Sequence, residues 1–112
     1  LKEKPWHHRD KKTTEIQLHQ IADAISQMSA DVVMLQEVDI DSKRSHHINQ
    51  IEFLKNKTKY QYSACAVLWQ KNYIAFPYWP PADHIGKVTA ANCILSRYPI
   101  TKHERIIFDK PK

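Results

Sequence analysis

Asp31-Val32-Val33-Met34-Leu35-Gln36-Glu37-Val38-Asp39 is the stretch from which the rest of the chain is best read. Four consecutive apolar residues, Val32 to Leu35, rich in branched side chains, predict a buried central strand. The run is far too short to cross a membrane. It closes on Gln36 and the carboxylate of Glu37. An unpaired carboxylate at the end of a buried strand is costly, so a cation, a proton or hydrogen-bond donors are expected to meet it. The plainer alternative is that Glu37 marks where the strand reaches solvent.

Toward the N-terminus, Thr14-Glu15-Ile16-Gln17 has the spacing of a capping box. It predicts a helix over residues 14–28 with Leu18, Ile21, Ile25 and Met28 on one face and Ala22 beside them. Only Ser29-Ala30 separates that helix from the strand, so the two are expected to pack as in an α/β layer. The first twelve residues are charged and irregular. Trp6 reads as a loop anchor or as a stacking platform. His7 and His8 are adjacent and point to opposite sides of an extended segment, which makes them a poor metal pair.

Toward the C-terminus, residues 39–45 are polar, as befits a strand-end loop that faces a site. Asp39 and Asp41 read as turn carboxylates that bond their own backbone, with Asp39 at most a partner behind a ligand. Arg44 offers a planar fork to a phosphate, or else forms a surface salt bridge. Ser45 is expected to cap a helix over 46–57 that carries Ile48, Ile51 and Leu54, with His46 and His47 solvated in its first turn. A strand is predicted over 60–69, with Tyr60, Tyr62, Ala64, Ala66 and Leu68 on one side. In the loop 70–87, Tyr73, Phe76, Tyr78 and Trp79 stand among prolines. They are expected to form a satellite core, the alternative being exposed rings that stack on bases, sugars or lipid chains. His84 closes this loop and is a candidate phosphate contact. Residues 89–96 read as a strand, 97–99 as a turn and 100–108 as the next strand of a hairpin. Asn92 lies within the first of these, where it must hydrogen-bond either to a phosphate oxygen or to neighbouring backbone.

With 112 residues the chain suits one domain. Seventeen basic against twelve acidic residues give a charge of +5, which favours anionic partners but is too diffuse to identify one. No stretch spans a bilayer and no signal peptide is visible; localisation and oligomeric state stay open. Cys65 and Cys93 sit in apolar strand-like runs and read as free buried thiols, with a disulfide or a metal site as the minor alternative. Gly86 is the single glycine, where average usage predicts about eight. Phosphate loops of the Walker or dinucleotide type need several glycines, so they are excluded. With them goes nucleotide binding by a doubly wound fold with Glu37 on a ribose.

Leu35-Gln36-Glu37-Val38-Asp39 followed by Arg44-Ser45, the amphipathic helix before it, and Ile94-Leu95-Ser96-Arg97-Tyr98-Pro99-Ile100 after it together resemble the endonuclease/exonuclease/phosphatase superfamily of DNase I-like hydrolases. The likeness runs from Trp6 to Ile100. It departs at Ala91, where relatives carry Gly, and at Cys93, where they carry Ala. The resemblance implies a layered α/β (α+β) sandwich of two packed mixed sheets flanked by helices. Residues 1–112 would be the N-terminal part of one domain about twice as long. It further implies metal-dependent hydrolysis of a phosphate ester, by a phosphodiesterase, nuclease or phosphatase, through metal-assisted attack of water on phosphorus. Mg²⁺ is the implied cofactor, with Mn²⁺ as a substitute. Glu37 is the implied catalytic metal ligand, and Arg44 and Asn92 are the candidate substrate-binding residues. The substrate class extends to nucleic acid and lipid head groups. The family's first-strand Asn, mid-domain His, Asp-x-Asn and closing Asp-His are not among these residues, so the 112-residue chain alone is expected to be inactive. The rival reading is a non-catalytic binding or scaffold module that keeps the sandwich.

Overall fold

The computed structural model describes residues 10–81 and 84–106. Two helices pack on one face of a three-stranded antiparallel sheet. In chain order these are α1 (Lys11–Ser26), β1 (Val32–Asp39), a 3₁₀ turn (Lys43–Ser45), α2 (Gln50–Lys57), β2 (Tyr62–Ile74) and β3 (Gly86–Ser96). The strand order is β1-β3-β2. The second sheet of a sandwich is not seen among the described residues.

Helix α1 starts three residues before the predicted position. The Asp10 carboxylate accepts from Thr13 N at 2.7 Å and so caps the first turn. Thr14 is inside the helix, where its hydroxyl donates to Asp10 O at 3.2 Å, and it is not the capping residue. The buried stripe is Thr14, Leu18, Ala22 and Ile25. Ile21 and Met28, expected on that stripe, are 43% and 49% exposed. The face that packs is rotated toward smaller side chains, which lets the helix approach the sheet.

Strand β1 corrects the central-strand expectation. Among the described strands β3 is the middle one, and β1 pairs only with it. The apolar run is not buried on both sides: Val33 is in the core whereas Met34 is 77% exposed. Paired residues share a face, so Val32, Met34, Ile94 and Tyr62 line the side away from the helices, all at least 39% exposed. The other face builds the core, where Ala22 and Ile25 of α1 and Ile51 and Leu54 of α2 meet Val33, Val38, Tyr60, Ala91, Cys93 and Leu95. The Tyr60 ring is fully buried, and its hydroxyl reaches Ala30 O at 2.7 Å, so the polar tip is satisfied where the ring is buried.

The segment between β1 and α2 also departs from expectation. The helix begins at Gln50, capped by Asn49, whose side chain accepts from Glu52 N at 3.1 Å; Ser45 does not cap it. His46 and His47 lie outside the helix in left-handed backbone, with φ of 59° and 57°. Strand β2 runs on to Ile74, through residues expected in the loop. Its end helps make a satellite core of Ile74, Ile85, Val88 and Ala90. The loop aromatics are not in it: Phe76, Tyr78 and Trp79 are 64%, 87% and 75% exposed. Gly86 starts β3 with φ +75°, a conformation that favours glycine, while a Cβ there would only have to push aside the flexible Lys43 side chain, whose Cδ lies 2.6 Å away.

Residues 100–106 form no strand, and 107–108 fall outside the described residues. The hairpin partner of β3 is β2. Cys65 and Cys93 face each other directly in that register and are joined as a disulfide, with Cα atoms 4.2 Å apart, so the minor alternative holds and neither is a free thiol. Closing a loop across a sequence separation of 28 contributes about 3.5 kcal/mol in the chain-entropy picture.

Candidate functional site

Along β1 the residues that face the helices are Val33 and Leu35, and strict alternation would put residue 37 next on that side. Glutamate there would carry its charge into the core. The register shows how the strand avoids this. Leu35 pairs with Cys93 and Val38 with Ala91, so β1 spends one more residue than β3 over the same interval. The extra residue is a β-bulge. It hands the core position to Val38, which is 8% exposed, and turns Glu37 to the surface. Glu37 adopts left-handed backbone, φ 55°, a conformation that residues bearing a Cβ rarely take and that recurs at functional sites.

Asn92 sits opposite this bulge. Its Oδ1 accepts the backbone N–H of Glu37 at 3.0 Å, which realises the neighbouring-backbone reading of this residue. A backbone N–H can only donate, so the amide oxygen faces Glu37 and the NH₂ group points elsewhere. Asn92 itself is exposed. Among the described residues nothing hydrogen-bonds or ion-pairs with the Glu37 carboxylate.

Of its two expected roles Arg44 shows the ion pair, as a part-buried pair rather than a surface one. Its Nε donates to Asp39 Oδ2 at 3.0 Å and its Nη2 to Asp39 Oδ1 at 2.7 Å, the two-point geometry that a guanidinium fits and an ammonium does not. The side chains are only 18% and 9% exposed, so this is a part-buried pair. The guanidinium carbon also lies 5.9 Å from the Trp69 ring centroid, within cation–π range. Arg44, Trp69 and Glu37 line one small cavity of about 80 Å³. Asp39 is thus the anchor of Arg44 rather than a turn carboxylate, and its own N–H donates to Gln50 Oε1 at 3.0 Å.

The loop that carries Arg44 is tied to β3. Ser42 is fully buried; its hydroxyl accepts from Thr89 N at 3.0 Å and donates to Thr89 O at 3.3 Å. Farther out, Asp41 receives Lys87 Nζ and His47 Nδ1, each at 2.5 Å. The Lys87 hydrogen bond first, and then that of His47, hold the Asp41 carboxyl below its ordinary value. His84, the candidate phosphate contact, has partners within this chain. Its ring is engaged inside the hairpin end by the Tyr73 hydroxyl and, at 3.3 Å, by Tyr78 O. His7, His8 and Trp6 lie outside the described residues.

A larger cleft of about 360 Å³ lies on the sheet face away from the helices, lined by Met34, Gln36, Ala64, Asn92 and Ile94 together with His103 and Glu104. It includes Asn92 but not Glu37, so the bulge stands at its edge. Size alone would point to the apolar cleft; the chemistry points to its rim, where Glu37 stands with no partner among the described residues.

Mg²⁺ binds through one or two carboxylates together with waters and substrate oxygens. An exposed carboxylate such as that of Glu37, which has no partner among the described residues, fits as one such ligand, although no three His, Cys, Asp or Glu residues converge among those residues. The positions of Asp39 and Trp69 around Arg44 were not legible from sequence, since Trp69 is twenty-five residues away on another strand. The bulge had one weak signal, a charged residue at what would be an inward position.

Comparison with protein families matches residues 7–111 to one described as the Endonuclease/Exonuclease/phosphatase family. Comparison with curated proteins and with solved structures returns no match.

Proposed function

This chain belongs to the endonuclease/exonuclease/phosphatase family, and on that premise we propose that it forms the N-terminal part of a metal-dependent hydrolase of phosphate esters. The family is in general hydrolytic toward phosphoesters; metal dependence, the sandwich partner sheet and the roles of individual residues are our reading. The observation that carries it is the Glu37 carboxylate, turned outward by a bulge and without a partner among the described residues.

In this reading Glu37 is a ligand for Mg²⁺, with Mn²⁺ able to replace it. When bound, the ion polarises a phosphoryl oxygen and stabilises the departing one. Arg44, held by Asp39 and beside the Trp69 ring, supplies positive charge in the wall of the cavity that Glu37 lines. The Asn92 NH₂, directed away from Glu37 by the oxygen on its other branch, supplies hydrogen-bond donors for a phosphate oxygen. The open sheet face, with Val32, Met34 and Ile94 exposed, is the side a second sheet would cover. General-base chemistry is not assigned to any described residue, so the 112-residue chain alone is expected to show no turnover.

The test is a hydrolysis panel on the intact domain with Mg²⁺, covering duplex DNA, RNA, sphingomyelin, inositol phosphates and a generic phosphodiester. We expect hydrolysis of at least one, abolished by EDTA and reduced about 10³-fold by Glu37→Ala, the scale typical of removing a major electrostatic contributor. Hydrolysis that survives Glu37→Ala would refute the metal role. No hydrolysis of any substrate would favour the binding-module alternative.

A further inference from the structure

We propose that Asn92 is a positioning residue for Glu37, acting on its backbone rather than on its side chain. The inference rests on the reading of Glu37 as a metal ligand and adds what sets that ligand's direction.

A bulge leaves one residue without its place in the hydrogen-bond ladder. Here Leu35 and Val38 keep their β3 partners, Cys93 and Ala91, and the N–H of Glu37 finds no strand carbonyl opposite it. The Asn92 side-chain carbonyl replaces that missing acceptor, at 3.0 Å and across fifty-five residues of sequence. The substitution is local and specific. Asn92 pairs with Ala66 on its other side, so its backbone is fixed from β2 while its side chain reaches β1. The neighbouring Cys65–Cys93 bond holds β2 to β3 one residue away.

The consequence for Glu37 is conformational. Left-handed backbone is unfavourable for glutamate unless its surroundings impose it. If the N–H lost its acceptor, residue 37 would sample extended backbone, in which the carboxylate swings toward the side occupied by Val33 and Leu35. The Asn92 oxygen selects the outward orientation. The same amide serves both proposed roles: oxygen toward Glu37, NH₂ toward a phosphate.

The roles are separable by substitution, because aspartate keeps an accepting oxygen and cannot donate. The experiment, on the intact domain, compares the parent sequence, Asn92→Ala and Asn92→Asp by amide hydrogen exchange in two-dimensional NMR, and then by Mn²⁺ titration of the parent and Asn92→Ala. With Asn92→Ala, exchange at the Glu37 N–H should accelerate about fivefold, as for loss of one ordinary hydrogen bond, while the amides of Leu35 and Ala91 are unaffected. Asn92→Asp should restore the slow rate. Mn²⁺ should broaden Glu37 in the parent at concentrations about fivefold lower than in Asn92→Ala, which a purely structural loss elsewhere would not produce. Unchanged exchange at Glu37 in Asn92→Ala, or failure of Asn92→Asp to restore it, overturns the proposal. Absence of Mn²⁺ broadening in the parent chain overturns the metal reading of Glu37 instead, and the exchange rates still decide the role of Asn92.

Discussion

Replacing Glu37 by glycine is expected to make the chain more stable while removing its proposed ligand. The comparison that isolates the effect is Glu37→Gly against Glu37→Ala, since both lack the carboxylate and both keep the N–H that Asn92 accepts. At φ 55° a residue with a Cβ carries a left-handed penalty of about 1 to 2 kcal/mol, which glycine escapes. Glycine in turn adds freedom to the unfolded chain, at a cost of about 0.4 to 1 kcal/mol. The difference leaves Glu37→Gly ahead of Glu37→Ala by about 0.5 to 1 kcal/mol. With a urea m-value of about 1.5 kcal/mol/M, the unfolding midpoint should rise by about 0.5 M. The assay is urea denaturation followed by far-ultraviolet circular dichroism, with m compared between variants to confirm that the unfolded states match. A glycine variant no more stable than the alanine variant would mean that residue 37 is not held in left-handed backbone. The bulge argument, and the positioning role of Asn92 with it, would then fall. If the order holds, position 37 trades stability for a carboxylate in one direction, as expected where strain is kept for function.

Arg44→Ala should destabilise by about 2 to 3 kcal/mol, because it leaves the part-buried Asp39 carboxylate without its two-point partner; urea denaturation should show that loss, and the further change Asp39→Asn should recover part of it. Asp41 carries the pH dependence. Its folded pKa lies below the ordinary 3.8, through Lys87 first and His47 second, so its contribution to stability is present above 3.8 and disappears as pH falls below that value through the folded one. Carboxyl-detected NMR titration should place the Asp41 midpoint below 3.8 in the parent chain and higher in Lys87→Ala.

Much of the architecture is readable from residue order, and the errors have definite causes. Both helices and all three strands are anticipated from local sequence, because an amphipathic stripe, an apolar run and an alternating strand each leave a local trace. Helix α1 begins at Lys11 because Asp10, an equally good cap, lies one turn ahead of the Thr14 signal. The apolar run of β1 predicts burial on both faces because Val32 and Met34 look like core residues; their side of the sheet is open among the described residues. Strand order, the Cys65–Cys93 bond and the Arg44–Asp39–Trp69 cluster depend on pairings across long separations, and periodicity carries no information about those. The motif picked out Glu37 and Asn92 separately. That one holds the backbone of the other is a property of register, visible only when β1 and β3 are side by side.

The bond between Cys65 and Cys93 encloses the aromatic tip of the hairpin, in which residues 75–81 include the exposed Phe76, Tyr78 and Trp79. Exposed tips of this kind are where proteases nick a chain. A cut anywhere in that tip would leave two fragments tethered by sulfur, with the strands still zipped and the bulge beyond the ring undisturbed. Such a clipped molecule would migrate as one species on a non-reducing gel and as two after thiol treatment, so loss of the tip and loss of the site are separate events in this protein.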